Sequence, residues 1–342
     1  MNWSTHEYVD RRTGEVRQER FLGDFWLQFL VPETPGQLYR LLSGRAWPSR
    51  LLAWLNFDRP LASMGNHRRF LERCGLNLSE GCREAEWYCT LRRIFERQIR
   101  YWECRPMPLE PEAVVSPAEA RVLPLSLKRQ SHLYIKQKFF DLKDLLHESK
   151  PQWLETFKGC DALVFRLTPD KYHYNHAPVA GRVVDFYEID GAFHACNPGV
   201  VSAVCEPYSK NRRVVTIIDT DLPGGTWVGK VAMIEIVALM IGRIDQCYSN
   251  EQYLDPRPVT PGLFLRKGAP KSLFRPGSST TVLLFEPGRM RCAADIEANA
   301  RRKGRSRFHA DGDGGPLETD VLVRSLVGYA QPGLSHTLNK EV

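Results

Sequence analysis

Two serines at a tight turn, two histidines three residues apart and one glutamate carry most of the chemistry open to this chain. Ser278 and Ser279 follow Pro276-Gly277 and lead straight into Thr280-Thr281-Val282-Leu283-Leu284-Phe285, which Pro287-Gly288 closes. That pattern predicts a corner entering a buried strand. The ordinary reading of small residues there is turn chemistry alone. A strained hydroxyl could also attack its own backbone. The Ser279 Oγ is near the carbonyl carbon of residue 278, and attack would give an ester by an N→O acyl shift. That step needs a base for the hydroxyl proton and donors for the oxyanion.

The usual base near neutral pH is histidine. His173 and His176 stand in Tyr172-His173-Tyr174-Asn175-His176-Ala177-Pro178. The preceding run, Phe165 to Lys171, reads as a strand ending in a turn, a usual place for a site. On a helix the three-residue spacing could hold a metal. No third or fourth ligand accompanies it, so no metal is expected. A hydrogen-bonded structural pair is the commoner use of such histidines. An oriented neutral histidine needs an acceptor on its other nitrogen, normally a carboxylate. Glu119 is the candidate, although residue type alone favours a solvated surface glutamate.

The elements that must position these groups are legible as short β runs separated by Gly, Pro, Asn and Asp. They are Val114-Val115, Arg121–Pro124, Leu163–Leu167, Gly181–Ile189, Val214–Asp219, Val228–Ala238 and Thr280–Phe285. Upstream the character is helical. Phe21, Leu22, Phe25, Trp26, Phe29 and Leu30 recur at helical spacing, and Gln37–Gly44 and Ser49–Asn56 continue it with arginines interleaved. Apolar and aromatic side chains on one face with arginine on the other suit a helix lying on anionic lipid. They also suit a helical pair packing on the protein's own core. Residues 63–104 read as helical and charged, with Leu71, Leu91, Ile94 and Phe95 as core positions. The proline-rich stretch Arg105–Pro111 is the best linker, giving residues 1–104 as a helical, membrane-associating region and 105–342 as a catalytic domain.

Composition sets the outer limits. The chain has 342 residues, 43% of them apolar and 25% charged, enough to form a core and to exclude global disorder. Nine cysteines without a C-x-x-C pair indicate neither a zinc ribbon nor a thioredoxin motif, and free, mostly buried thiols are expected. A net charge of +7 is spread along the chain with no nucleic-acid motif, so no nucleic-acid partner is expected. The basic cluster Arg301–Arg307 reads as a solvated loop. The longest apolar segment, Val231–Gly242, is far short of the roughly 20 residues a membrane span needs. The polar opening from Met1 to Gln18 is unlike a signal peptide. Any membrane contact is therefore expected to be peripheral, from the cytoplasm.

From about Tyr101 to Gly328 the sequence resembles the phosphatidylserine decarboxylase family. The family's Y-H-x-x-H-x-P-x-x-G is met by Tyr172, His173, His176, Pro178 and Gly181. Gly229-Lys230-Val231-Ala232-Met233 and Gly242-Arg243-Ile244 resemble its glycine-rich segment, with Ile236-Val237 in place of the inner V-G. Phe274 to Gly288 resembles its cleavage motif. The resemblance implies a β-rich α+β fold and self-cleavage at 278/279, giving a β chain of 1–278 and an α chain of 279–342. It implies that Ser279 becomes a covalent pyruvoyl cofactor, a ketone that condenses with a substrate amine and accepts the electrons left by departing CO2. His176 would be the base, Glu119 its orienting partner and His173 a substrate-binding residue. The partners implied are a phospholipid, a membrane surface and a second cleaved αβ unit.

Two departures from the family bear on maturation. Its glycine before the cleaved serine is Ser278 here, which puts a Cβ into the turn and removes glycine's freedom to adopt positive φ. Its S-P-A-D-G is Ser116-Pro117-Ala118-Glu119-Ala120, which lengthens the acid by a methylene. Counting from Phe274 rather than Phe285 would also allow Ser278 as the nucleophile. Two other activities fit the same residues: decarboxylation of a soluble, for example aromatic, amino acid, and a cleavage-dead membrane-binding role.

Overall fold

Six of the seven β runs marked in the sequence lie in one ten-stranded sheet. The computed structural model describes residues 6–19, 77–126, 132–135, 138–168, 170–191, 211–237, 243–276, 279–305 and 314–331. In chain order it begins with β1 (Glu7–Asp10) and β2 (Val16–Gln18). Short helices α1 (Leu91–Phe95) and α2 (Tyr101–Cys104) follow, then β3 (Ala113–Val115), β4 (Ala120–Ser126), β5 (His132–Ile135) and β6 (Lys138–Asp141). After α3 (Leu142–Leu146) and α4 (Pro151–Thr156) come β7 (Asp161–Leu167), β8 (Tyr174–His176), β9 (Gly181–Ile189), β10 (Arg213–Asp219) and β11 (Lys230–Ile236). The chain continues through β12 (Ile244–Gln246), β13 (Phe264–Leu265), β14 (Pro270–Phe274), β15 (Ser279–Phe285) and β16 (Met290–Cys292). It ends with α5 (Ala294–Arg301), β17 (Lys303–Gly304), β18 (Gly315–Pro316), β19 (Glu318–Val321) and β20 (Leu326–Ala330).

The large sheet runs β13-β9-β10-β11-β15-β7-β4-β19-β1-β2. Every pairing is antiparallel except β1 with β19, and most neighbours are far apart in the chain, so the sheet is built largely from distant segments. β15 sits inside the sheet between β11 and β7, and all seven of its residues are buried. Two three-stranded sheets, β12-β14-β8 and β16-β20-β3, complete the site region. The result is a β-rich α+β fold, as the family resemblance implies.

Alternation along β15 feeds two cores. Leu283 and Phe285 join Phe165, Leu167, Val122 and Met233 on one face. Val282 and Leu284 join Ile217, Ile234, Leu146 and Phe157 on the other, under α3 and α4. Each such fully buried side chain contributes roughly 2 kcal/mol of transfer free energy.

Three expectations need correction. Residues 77–104 are not one charged helix. They form two 3-10 turns and two short helices, because Leu91, Ile94 and Phe95 supply little more than one turn of periodicity and a bridge between Gly81 and Ile99 folds the segment back. The basic stretch 301–305 is ordered: Arg301 ends α5, beside Glu297 one turn earlier, and Lys303-Gly304 is a strand. Among the described cysteines, all free, only Cys160 is fully buried; Cys82, Cys89 and Cys104 lie on the peripheral 77–104 segment. The expected amphipathic helices of residues 21–56, and Leu71, lie outside the described residues. No helix among the described residues is long and apolar enough to cross a membrane.

Candidate active site

Strand pairing brings the two motifs to one place. β8 carries Asn175 and His176 and runs antiparallel to β14, with His176 opposite Pro270. At the other end, the Phe274 N–H donates to the His173 carbonyl at 3.1 Å. β15 begins at Ser279, which pairs with Leu167, the last residue of β7. The loop leaving Leu167 is the one that carries Tyr172 and His173. The Thr281 hydroxyl donates to the Asn175 side-chain oxygen at 2.9 Å. Side chains two apart on a strand share a face, so Ser279 faces the same side as Thr281, toward the histidine strand. Ser279 is fully buried, and its Oγ has no hydrogen-bond partner. Ser278 lies outside the described residues.

His176 is buried and held at both nitrogens. Nδ1 is 2.8 Å from the Gly268 carbonyl and Nε2 is 3.0 Å from the Tyr172 hydroxyl. A carbonyl can only accept, so Nδ1 carries the proton, and Nε2 is the basic nitrogen that receives the Tyr172 O–H. Burial pushes the imidazolium pKa down, the Gly268 hydrogen bond partly offsets it and Arg324 adds to it, leaving a value of about 3. The ring is thus a neutral acceptor across the physiological range. Gly268 has φ of +74°, and a Cβ there would collide with the Met107 sulfur, so glycine alone presents this carbonyl without strain.

His173 is buried with neither ring nitrogen hydrogen-bonded, and its ring stacks on Phe95 with centroids 3.5 Å apart. Burial, reinforced by the nearby Arg97 guanidinium, holds its pKa well below the ordinary value. Buried nitrogens without a hydrogen bond are costly unless something is meant to bind them.

Glu119 does not touch His176. Its carboxylate takes the Arg105 Nε–H at 2.5 Å and, more weakly, the Tyr172 backbone N–H at 3.4 Å. Arg105 also reaches Glu80 at 2.8 Å. A guanidinium in range outcompetes a neutral imidazole for a buried carboxylate, and the Gly268 carbonyl takes the orienting place at Nδ1. The glutamate is therefore one residue removed from His176, linked to it through Tyr172.

Sequence reasoning passed over several groups that the fold assembles here. Tyr253 extends the His176–Tyr172 contact, with the two phenol oxygens 2.6 Å apart. Tyr101 stands edge-on to the His176 ring, with centroids 4.8 Å apart. From β7, Arg166 donates to both Glu19 and Glu318, and His6 lies 2.7 Å from Glu318. The ligand-type atoms of His6, Glu19 and Glu318 fall within 4.8 Å of one another, but the Arg166 guanidinium supplies the positive charge between the two carboxylates. None of these residues forms a local motif, so only pairing across distant strands reveals them.

Similarity to known proteins agrees with this geometry. The profile of the family described as phosphatidylserine decarboxylase matches residues 91–308, well over half of the chain. A phosphatidylserine decarboxylase proenzyme of Chlamydia muridarum is 30% identical over 291 residues, covering 84% of this chain and 90% of that protein. A proenzyme of the same name from Fusobacterium nucleatum is 25% identical over 313 residues, covering 90% and 97%. A rice protein named phosphatidylserine decarboxylase proenzyme 2 is 30% identical over 231 residues, covering 66% of this chain and 34% of its own. On these matches the chain belongs to the phosphatidylserine decarboxylase family of carboxy-lyases.

Proposed function

We propose that this chain matures by cutting its own backbone between residues 278 and 279 and then decarboxylates phosphatidylserine to phosphatidylethanolamine. The observation that carries the reading is Ser279: it is fully buried at the head of a central strand, its Oγ has no partner, and it faces the histidine side of the sheet. A hydroxyl buried without a hydrogen bond costs stability, and a hydroxyl that is consumed during maturation need not find one.

In this reading His176 takes the Ser279 hydroxyl proton at Nε2, and Tyr172 yields that nitrogen as the turn rearranges. Oγ bonds to the carbonyl carbon of residue 278 and the 278–279 amide breaks. Elimination then returns a carboxylate to residue 278, and addition of water with loss of ammonia leaves the pyruvoyl end at 279. The buried setting of Ser279, between the β7 and β11 ladders, fits a group that must stay fixed and dry. When formed, the pyruvoyl group supplies an electron sink for the bond to CO2. The chain's own residues do the rest. His173, with both nitrogens unsatisfied, binds the headgroup carboxylate. His176 returns a proton to the decarboxylated carbon. Glu119 fixes the backbone of Tyr172, and through it the His176 ring. The arginine-interleaved segment before residue 57 sets the enzyme on the lipid surface, from which the headgroup is taken without extracting the acyl chains. A pair of cleaved αβ units is the expected assembly.

Intact-mass measurement of the purified protein, followed by an assay on phosphatidylserine vesicles and on free amino acids, tests this. Two chains that meet at 278/279, with turnover of vesicles, are expected. Turnover of free amino acids alone would end the lipid reading.

A further inference from the structure

Glu235 and Lys271 form an ion pair at 2.6 Å in which both side chains are completely buried. Neither belongs to the motifs above. The pair is the centre of a polar knot inside an otherwise apolar region. Glu235 Oε1 accepts from the Asn175 amide at 3.1 Å and from the Ser272 hydroxyl, and Oε2 accepts from Gln246 at 3.1 Å. Lys271 donates a second time to Gln246, at 2.9 Å. Asn175 in turn accepts from the Thr281 hydroxyl at 2.9 Å. The knot thus reaches from β11, β12 and β14 through the histidine strand β8 to a side chain two residues into β15.

Burying such a pair gains little stability, since well-packed apolar residues in its place are often as good or better. What it gives is fixed geometry: every partner's place is set by directional hydrogen bonds. Its location has a further meaning if the backbone is cut at 278/279, and in that respect the inference rests on the proposed function. Lys271 and Ser272 precede the cut, and Thr281 follows it. After scission no covalent link holds β14 next to β15. The ladders to β7 and β11 still retain the strand, but on its histidine-facing side the Thr281–Asn175 contact joins one product chain to the other, one residue from His176 and two from the new chain end.

We infer that the Glu235–Lys271 knot, acting through Asn175 and Thr281, is a positioning device that keeps the first residues of β15 aligned with the histidine strand after scission, and so governs turnover rather than substrate affinity.

The test compares wild type with Thr281→Val, an isosteric change that removes only the hydroxyl, and with Thr281→Ser, which keeps it. Each protein is checked for two chains by intact mass, then for kcat and KM on phosphatidylserine vesicles. Thr281→Val is expected to mature, keep KM within about twofold and lose about tenfold in kcat, the signature of a misaligned reacting group, with Thr281→Ser restoring kcat. The double variant Glu235→Leu/Lys271→Met, which strands neither charge, should mature and lose kcat similarly. Maturation and turnover at wild-type rates in Thr281→Val would overturn the inference and leave the proposed function standing. So would a loss that Thr281→Ser fails to restore, because that marks packing alone. A wild type that stays one chain would overturn both.

Discussion

The Tyr172 hydroxyl and His176 Nε2 lie 3.0 Å apart, and the same hydroxyl is 2.6 Å from that of Tyr253. With Nδ1 committed to the Gly268 carbonyl, the phenol is the hydrogen-bond partner of the buried basic nitrogen of His176. Replacing Tyr172 by Phe leaves Nε2 bare. We expect a loss of about 1–3 kcal/mol in stability from the unsatisfied buried acceptor. We also expect slower maturation, read as the rate at which the full-length band disappears on a denaturing gel.

The protonation state of His176 is itself measurable. Its folded pKa of about 3 is below the unfolded value. The unfolded chain therefore binds the proton more readily between the two values, and stability falls as pH drops from about 6.5 toward 3. Nitrogen-15 NMR on histidine-labelled protein should show a neutral ring protonated at Nδ1 at pH 5. An imidazolium signal assigned to His176, by its absence from a His176→Gln variant, would contradict the assignment.

Gly268 is expected to tolerate no side chain. Gly268→Ala forces strain at positive φ and displaces Met107, moving the carbonyl that orients His176. The variant should fold with a lower unfolding midpoint and show a larger loss in kcat than in KM.

The Arg166 cluster predicts an acid-sensitive edge. Burial works to raise the Glu318 and Glu19 carboxyls, but Arg166 overrides it and holds both below the ordinary range, helped at Glu19 by Arg121 and at Glu318 by His6. Their stabilising contribution is complete above the unfolded carboxylate value and fades as pH falls through the lower folded one. Since Glu19 tethers the β1–β2 hairpin, hydrogen exchange should show β1 and β2 opening first in acid. Arg166→Met, which strands two buried carboxylates, should cost about 3–5 kcal/mol.

Much of this was legible in the chain. The β7, β9, β10 and β15 runs were marked to within two residues, because β-branched segments bounded by Gly, Pro and Asp leave few alternatives. β14 was missed: Pro270, Lys271 and Ser272 look like a loop, and only the partners of Lys271 and Ser272 explain their burial. The histidines stand in a sequence motif, while Tyr253, Arg105 and Gly268 do not, since each acts through one atom delivered from a distant part of the chain. Residue type alone favours a solvated Glu119, whereas it is buried on Arg105, and nothing local in the sequence indicates that Arg105 reaches it.

The central claim is that Ser279 is spent in breaking the bond beside it. Intact-mass spectrometry of freshly purified wild type and Ser279→Ala, with no reducing or amine reagent added, addresses it most directly. The account predicts that wild type yields a chain ending at residue 278 and a chain starting at 279 that is one ammonia lighter than simple hydrolysis would give, while Ser279→Ala remains whole. A wild type recovered as a single unmodified polypeptide, or cut equally well without the Ser279 hydroxyl, would contradict it.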